Sequence, residues 1–257
     1  MKQLIDKHPV AMAALWFGVL MIAYIVMAVI ANLFGNSLYA SALFDAFMIG
    51  FSLYVMKHIG KGPFAEQVKF QQFAVGYVLL ILMWVSTSIM VVWASKTFTD
   101  PFYQEYEAAL NGNRQANEWL TVFLALIAAP VAEEFFYRKV LYGTLRHMRC
   151  PMIYPALISS ALFALSHGTI MHIFPATIMG VGSCLVYEWT GNIWWSVLLH
   201  ISYNLFSLSQ IAVVLPDWAV STPVCLILTL LWSIGYGLMY LELERRASLK
   251  LNSLYFK

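Results

Sequence analysis

The chain has 257 residues, 61% of them hydrophobic and 11% charged, with a formal net charge of +2. Soluble domains carry roughly 45–50% apolar and about 25% charged residues, so this composition excludes a water-soluble globular fold and describes a polytopic membrane protein. A net charge this small gives no footing for binding nucleic acid.

A membrane-crossing helix needs about 20 mostly apolar residues. Eight such spans are predicted, at 10–34, 39–57, 70–95, 119–142, 152–168, 170–188, 192–212 and 219–241. The first, Val10 to Phe34, is too long for the apolar core of a signal peptide and reads as a span. The fifth and sixth are short and closely joined. Trp93, Trp119, Trp189, Trp194, Trp195 and Trp218 fall near span ends, as interfacial aromatic belts do. Segment 96–118 is the one sizeable hydrophilic insertion, and its Tyr103 to Ala109 stretch predicts a short surface helix. Cys150, Cys184 and Cys225 are isolated and suggest buried small hydrophobes, with neither a disulfide framework nor a zinc knuckle. The fold class expected is therefore all-α: eight transmembrane helices around an intramembrane polar cavity. They form a single transmembrane domain over 1–257, with its motif core at 119–212.

Orientation follows from bases in the short loops. Lys2 and Lys7 precede span one, and Lys57, Lys61 and Lys69 follow span two. Arg146 and Arg149 follow span four, and Arg245, Arg246, Lys250 and Lys257 lie in the tail. With eight spans all four groups fall on one side, so the expectation is a multi-pass protein of the cell membrane with both termini cytoplasmic. Residues 35–38 carry no charge, and segment 96–118 is net acidic.

The ionisable residues inside the spans are few and costly. A charge near the bilayer centre costs about 2.5–3.5 kcal/mol on insertion scales, so such groups are paired, turned inward or hydrated, and they mark function. Span four carries Glu133, Glu134 and Arg138; span five ends with His167; span seven carries His200 and Asn204; span two carries Asp45. Glu134 and Arg138 stand four apart, share a helix face and can pair. Glu133 is rotated by about 100° from Glu134 and must find another partner or stay protonated. A desolvated carboxyl of that kind suits a general base. His200 and Asn204 are also four apart and reach one region from span seven. At about 1.5 Å per residue, Glu133 falls about 21 Å from the outer end of its span. On the same rise, His200 falls about 12 Å from the cytoplasmic end of its own, and His167 about 18–22 Å. Pro130, one turn before the glutamates, removes a backbone donor and kinks the helix, opening a polar cavity beside them. His147 and His172 read as interfacial, and Asp45 as capping or pairing locally.

E-E-x-x-x-R at 133–138, F-x-x-x-H at Phe163–His167 and H-x-x-x-N at His200–Asn204 occur in that order. Together they resemble the three motifs of the CAAX protease and bacteriocin-processing (CPBP, or Abi) family, intramembrane endopeptidases with an eight-helix core. The resemblance implies that Glu133 with His167 activates a water for attack on a peptide carbonyl. It implies that His200 and Asn204 form the oxyanion site, and that Glu134 with Arg138 supports the helix. It implies a peptide or membrane-protein substrate within the lipid bilayer, and no cofactor. A divalent metal such as zinc is the alternative, with Glu133, His167 and His200 as its three protein ligands. Two other function classes stand beside the peptidase: a non-enzymatic bacteriocin-immunity or scaffold protein on the same fold, and a transporter or proton relay. The missing inverted repeats weigh against the transporter.

Overall fold

The computed structural model describes residues 1–35, 37–59, 101–148, 150–208, 216, 218 and 221–255, with isolated positions between 74 and 93. The predicted span 70–95 lies almost entirely outside these residues, as do Lys61, Lys69, Arg149 and Lys257.

The described residues form helices and turns. In chain order the helices are α1 (Lys2–Lys7), α2 (Pro9–Phe34), α3 (Ser37–Ile59), α4 (Pro101–Ala116), α5 (Glu118–Leu145), α6 (Ile153–Leu165), α7 (Ile170–Thr190), α8 (Ile193–Leu208) and α9 (Thr222–Tyr255). Local chemistry sets their ends. Pro9 opens α2 where its missing N–H costs nothing, and Gly35 closes it at φ 63° with its amide on the Ala31 carbonyl. The Asn117 side chain accepts from the Leu120 amide at the start of α5, and Thr169 caps α7 through the His172 amide.

By length and composition, four helices among the described residues can cross a membrane: Pro9–Phe34, Ser37–Lys57, Glu118–Leu145 and Thr222–Arg246. The expected span 152–168 is the shorter apolar helix α6, and spans 170–188 and 192–212 correspond to α7 and α8. The short helix expected at Tyr103–Ala109 is the longer α4.

α3 packs on α2 and on the middle of α5, and the most extensive pairing among the described residues is α6 with α7. At that crossing a Cβ on Gly180 would lie 2.7 Å from the Cβ of Ser160, so only glycine lets the two backbones come this close. α8 packs on both α7 and α5. The outer faces of α2 and α9 leave Ile22, Ile25, Leu33, Leu226, Leu230 and Leu238 exposed, as lipid-facing surfaces do. Of the motif residues, Glu134, Arg138 and His200 are buried, while Glu133, His167 and Asn204 are partly exposed.

Candidate active site

Helix α5 is not uniform. It runs through two π-helical stretches, Leu124–Ala128 and Glu134–Tyr142, with a short α segment between them that contains Pro130 and Glu133. Widened turns of this kind occur mostly at functional sites. The first has a visible cause. In its register the Ala129 amide bonds to the Leu124 carbonyl, five residues back. The next pair would be residue 130 with Ala125, and proline has no N–H to give. The Ala125 carbonyl is taken instead by Nδ2 of Asn204, at 2.8 Å. Asn204 therefore ties α8 to the break in α5 while its second amide hydrogen is left for another acceptor.

Past that break the two glutamates separate. Glu134 is fully buried, with Oε2 3.2 Å from Nε of the equally buried Arg138. The contact is an ion pair with poor hydrogen-bond direction, since Glu134 Oε2, Arg138 Nε and Arg138 Nη1 all lack a well-aligned partner. Arg138 is further held over the Phe163 ring, 4.4 Å from its centroid, and its Nη2 points at Met179 Sδ at 3.9 Å. Glu133 keeps a quarter of its side chain exposed.

His200 stands between the two carboxylates. Its Nδ1 lies 3.0 Å from Glu134 Oε1, and its Nε2 lies 3.6 Å from Glu133 Oε2. Nδ1–H donates to the buried carboxylate. Nε2 and the Glu133 carboxylate face each other across that second gap, which is too long for a direct hydrogen bond.

His167 sits in the turn Ser166–Thr169 that joins α6 to α7. α6 has 13 residues, a length of about 20 Å against a hydrocarbon core about 30 Å thick. A helix of this length that starts at one membrane face ends inside the hydrocarbon core, where irregular backbone is tolerated only if buried in protein or lining a wet cavity. The turn satisfies itself: Gly168, at φ 74°, reverses the chain, and the His167, Gly168 and Thr169 amides bond to Ala164, Leu165 and His167 carbonyls. His167 Nδ1 donates to the Phe163 carbonyl at 2.9 Å, which leaves Nε2 as the nitrogen able to take a proton. The Phe163 ring packs edge-on against both imidazoles, 4.7 Å from His167 and 5.8 Å from His200.

The structure thus brings Glu133, Glu134 and Arg138 of α5 together with His200 of α8, while His167 is related to His200 through the Phe163 ring between them. Three features lie outside the sequence expectations. His200 reaches Glu134 as well as Glu133. Asn204 commits one amide hydrogen to the Ala125 carbonyl of α5. Tyr137 and Ser166, which no motif marks, flank Phe163 and His167; the hydrophobic run around them gave no signal beyond the i,i+4 spacing of Tyr137 from Glu133. Asp45 is buried on α3, the helix that packs on the middle of α5. His147 pairs with Asp6 at 2.8 Å, and His172 Nδ1 meets Thr169 Oγ1 at 2.7 Å.

Glu133 Oε2 and His200 Nε2 have nearly the separation of two ligands on one zinc, about 3.4 Å for tetrahedral bonds near 2.1 Å. Among the described residues, however, no third His, Cys, Asp or Glu joins them at ligating distance. The donor set as placed does not make a three-ligand zinc site.

Residues 115–206 match the family described as type II CAAX prenyl endopeptidase Rce1-like. YdiL of Bacillus subtilis (strain 168), named as a candidate membrane peptidase, is 30% identical over 87 residues, covering 34% of this chain and 35% of that protein. The membrane-embedded CAAX protease MroQ of Staphylococcus aureus (strain USA300) is 31% identical over 90 residues, 33% of this chain and 36% of its own. The UPF0177 protein YxdF of Lactococcus lactis subsp. lactis (strain IL1403) is 34% identical over 86 residues, with shares of 33% and 46%. The matched stretch spans less than half the length of each of these relatives. No solved structure matches the chain. Over residues 115–206 the chain is similar to the CAAX protease family, and two of these three relatives, YdiL and MroQ, carry peptidase names.

Proposed function

We propose that the protein is an intramembrane endopeptidase of the glutamic type, cutting peptide bonds near the cytoplasmic leaflet. The observation that carries this reading is the placement of His200 between an exposed and a buried glutamate, at 3.6 and 3.0 Å. Glu133, partly exposed, is the group that meets a water. With His167 Nε2 it takes the proton as the water oxygen attacks the peptide carbonyl. The charge that develops on that carbonyl oxygen is met by protonated His200 Nε2–H and by the second Nδ2 hydrogen of Asn204. Collapse breaks the C–N bond, and the proton held by Glu133 passes to the leaving amine. Glu134 and Arg138 take no part in bond changes; Glu134 holds His200 through its Nδ1, and Arg138 pairs with Glu134.

No step is routed through a metal, because the donor set offers two ligands at bite distance rather than three. The substrate is a peptide or membrane-protein segment lying in the bilayer. The bases in the short loops support a cytoplasmic side for both termini.

The experiment compares liposomes carrying the wild-type protein and Glu133→Ala, each with and without a chelator, on peptide and membrane-protein substrates. Cleavage by the wild type that is lost in Glu133→Ala and indifferent to the chelator is the expected result. Full activity in Glu133→Ala overturns the assignment, and loss with the chelator alone returns the zinc alternative.

A further inference from the structure

From Glu134 to Leu145, helix α5 is buried at every position but one: only Lys139 reaches the surface. The E-E-x-x-x-R pattern ends at Arg138 and does not ask for a charge there. Lys139 Nζ donates to the Tyr187 hydroxyl of α7 at 2.6 Å. A hydroxyl satisfies one of the three ammonium donors and cancels none of the charge. Among the described residues no carboxylate pairs with Lys139. The nearest in sequence to Tyr187 is Glu188, and it is taken by Arg146 Nε at 2.5 Å and by the Tyr142 hydroxyl. Lys139, Arg146 and Glu188 together therefore carry one positive charge in excess.

The position of that charge says what kind of anion can meet it. Lys139 stands six residues before the end of its apolar helix at Leu145, about 9 Å. Tyr187 stands three residues before the end of α7 at Thr190, about 4.5 Å. The long lysine stem lets the ammonium rise to the level of that hydroxyl, as snorkelling lysines do. The charge thus lies within about one turn of the helix ends, where hydrocarbon gives way to headgroups. Arg146, Arg245 and Arg246 gather at the same end of the bundle. Four residues before Lys139, Phe135 holds the Trp194 ring edge-on at 5.5 Å between centroids, and Trp194 is 57% exposed. Tryptophan and tyrosine settle at headgroup level. A soluble anion would answer the charge but leave the exposed indole without an apolar partner. A phospholipid answers both, with its phosphate on the ammonium and the top of an acyl chain along the indole.

We propose that Lys139, with Tyr187 and Trp194, forms a seat for one acidic phospholipid, whose phosphate takes the ammonium donors that Tyr187 leaves. A lipid of net negative charge is preferred to a zwitterionic one because the excess charge of the seat is positive. The seat does not depend on the peptidase reading, and neither measurement below uses cleavage.

The test offers full-length protein in a neutral detergent either phosphatidylglycerol or phosphatidylcholine and counts the retained lipids by native mass spectrometry. The wild type is expected to hold one phosphatidylglycerol in preference to phosphatidylcholine, and dissolved glycerol phosphate is expected not to displace it. Lys139→Gln is expected to weaken that retention about fivefold. Lys139→Arg keeps it, and Lys2→Gln, which removes a base outside the seat, leaves it unchanged. Equal retention in Lys139→Gln, or no headgroup preference in the wild type, overturns the inference; displacement by glycerol phosphate overturns it in favour of a soluble anion. A second measurement leaves Lys139 intact and so decides the matter even if Lys139→Gln does not fold. Phosphatidylglycerol brominated high on its chains, mixed into phosphatidylcholine vesicles, is expected to quench the tryptophan fluorescence of the wild type more than that of Trp194→Phe. It is also expected to quench the wild type more than brominated phosphatidylcholine does at the same content. Equal quenching in either comparison removes the lipid from the seat.

Discussion

At His200 the two ring nitrogens serve different partners, and that asymmetry fixes what each glutamate can do. Glu134 Oε1 receives Nδ1–H while Oε2 faces Arg138, so this carboxylate is consumed in holding other groups. Removing it leaves Arg138 buried without a counter-charge. Glu134→Ala is therefore expected to lower stability by about 3–5 kcal/mol, and the paired change Glu134→Gln with Arg138→Met by much less. Thermal unfolding in detergent measures both; equal losses would mean that the charges are not coupled. Glu133 has the opposite profile, partly exposed and within 3.6 Å of His200. Glu133→Gln keeps shape and hydrogen-bonding capacity, so it is expected to preserve the unfolding temperature while lowering kcat by about 10²–10³-fold or more. Both of these residues carried a sequence signal, because charges in an apolar span announce themselves. The histidine bridge did not: spacing along one helix says nothing of which carboxylate on another helix an imidazole will face.

Among the elements, α5 and the turn after α6 decide the geometry. The break at Pro130 and the bond from Asn204 to Ala125 form one unit, and a double-mutant cycle exposes it. Asn204→Ala leaves a carbonyl unsatisfied and is expected to cost about 1–3 kcal/mol of stability. In a Pro130→Ala background the restored N–H can take that carbonyl, and the same change is expected to cost less than half as much. Additive losses in detergent unfolding would refute the link. At the other element, Gly168 holds φ 74° in open space. Gly168→Ala is therefore expected to cost about 1–2 kcal/mol from backbone strain alone, and to lower kcat by displacing His167. The helical segments carrying the motifs and the order of those motifs were legible from apolar runs and spacing. The π-helical turns were not, because a widened turn depends on where each carbonyl finds its donor, and here one donor comes from a helix about 80 residues away. The short α6 was legible only as an awkward pair of spans, although its end at Leu165 is what puts His167 in a turn rather than inside a helix.

Across the whole molecule, a second polar network lies beyond the site along α5. Arg146 pairs with Glu188 at 2.5 Å, Tyr142 donates to the same carboxylate, and Lys139 donates to Tyr187 at 2.6 Å. Glu244 of α9 accepts from the Met152 amide at the start of α6, at 3.2 Å, and Arg246 covers the Trp189 ring. The network joins α5, α6, α7 and α9 at one end of the bundle. It also fixes α6 at its beginning, so its 13 residues reach inward from that end by a set distance. The outer face of α6 exposes Tyr154, Leu157, Ile158 and Leu165, whereas α2, in the same bundle, has 26 residues. Lipid around the two helices meets hydrophobic lengths of about 20 and 39 Å. A membrane beside the short one must thin or dimple, at a fraction of a kcal/mol per ångström of mismatch. Acyl-chain length then becomes a control on the protein: shorter-chain lipids relieve the deformation next to His167, and longer ones increase it. Turnover in liposomes is expected to rise as chains shorten toward the length of α6, so the bilayer itself sets how readily water reaches the buried carboxylates.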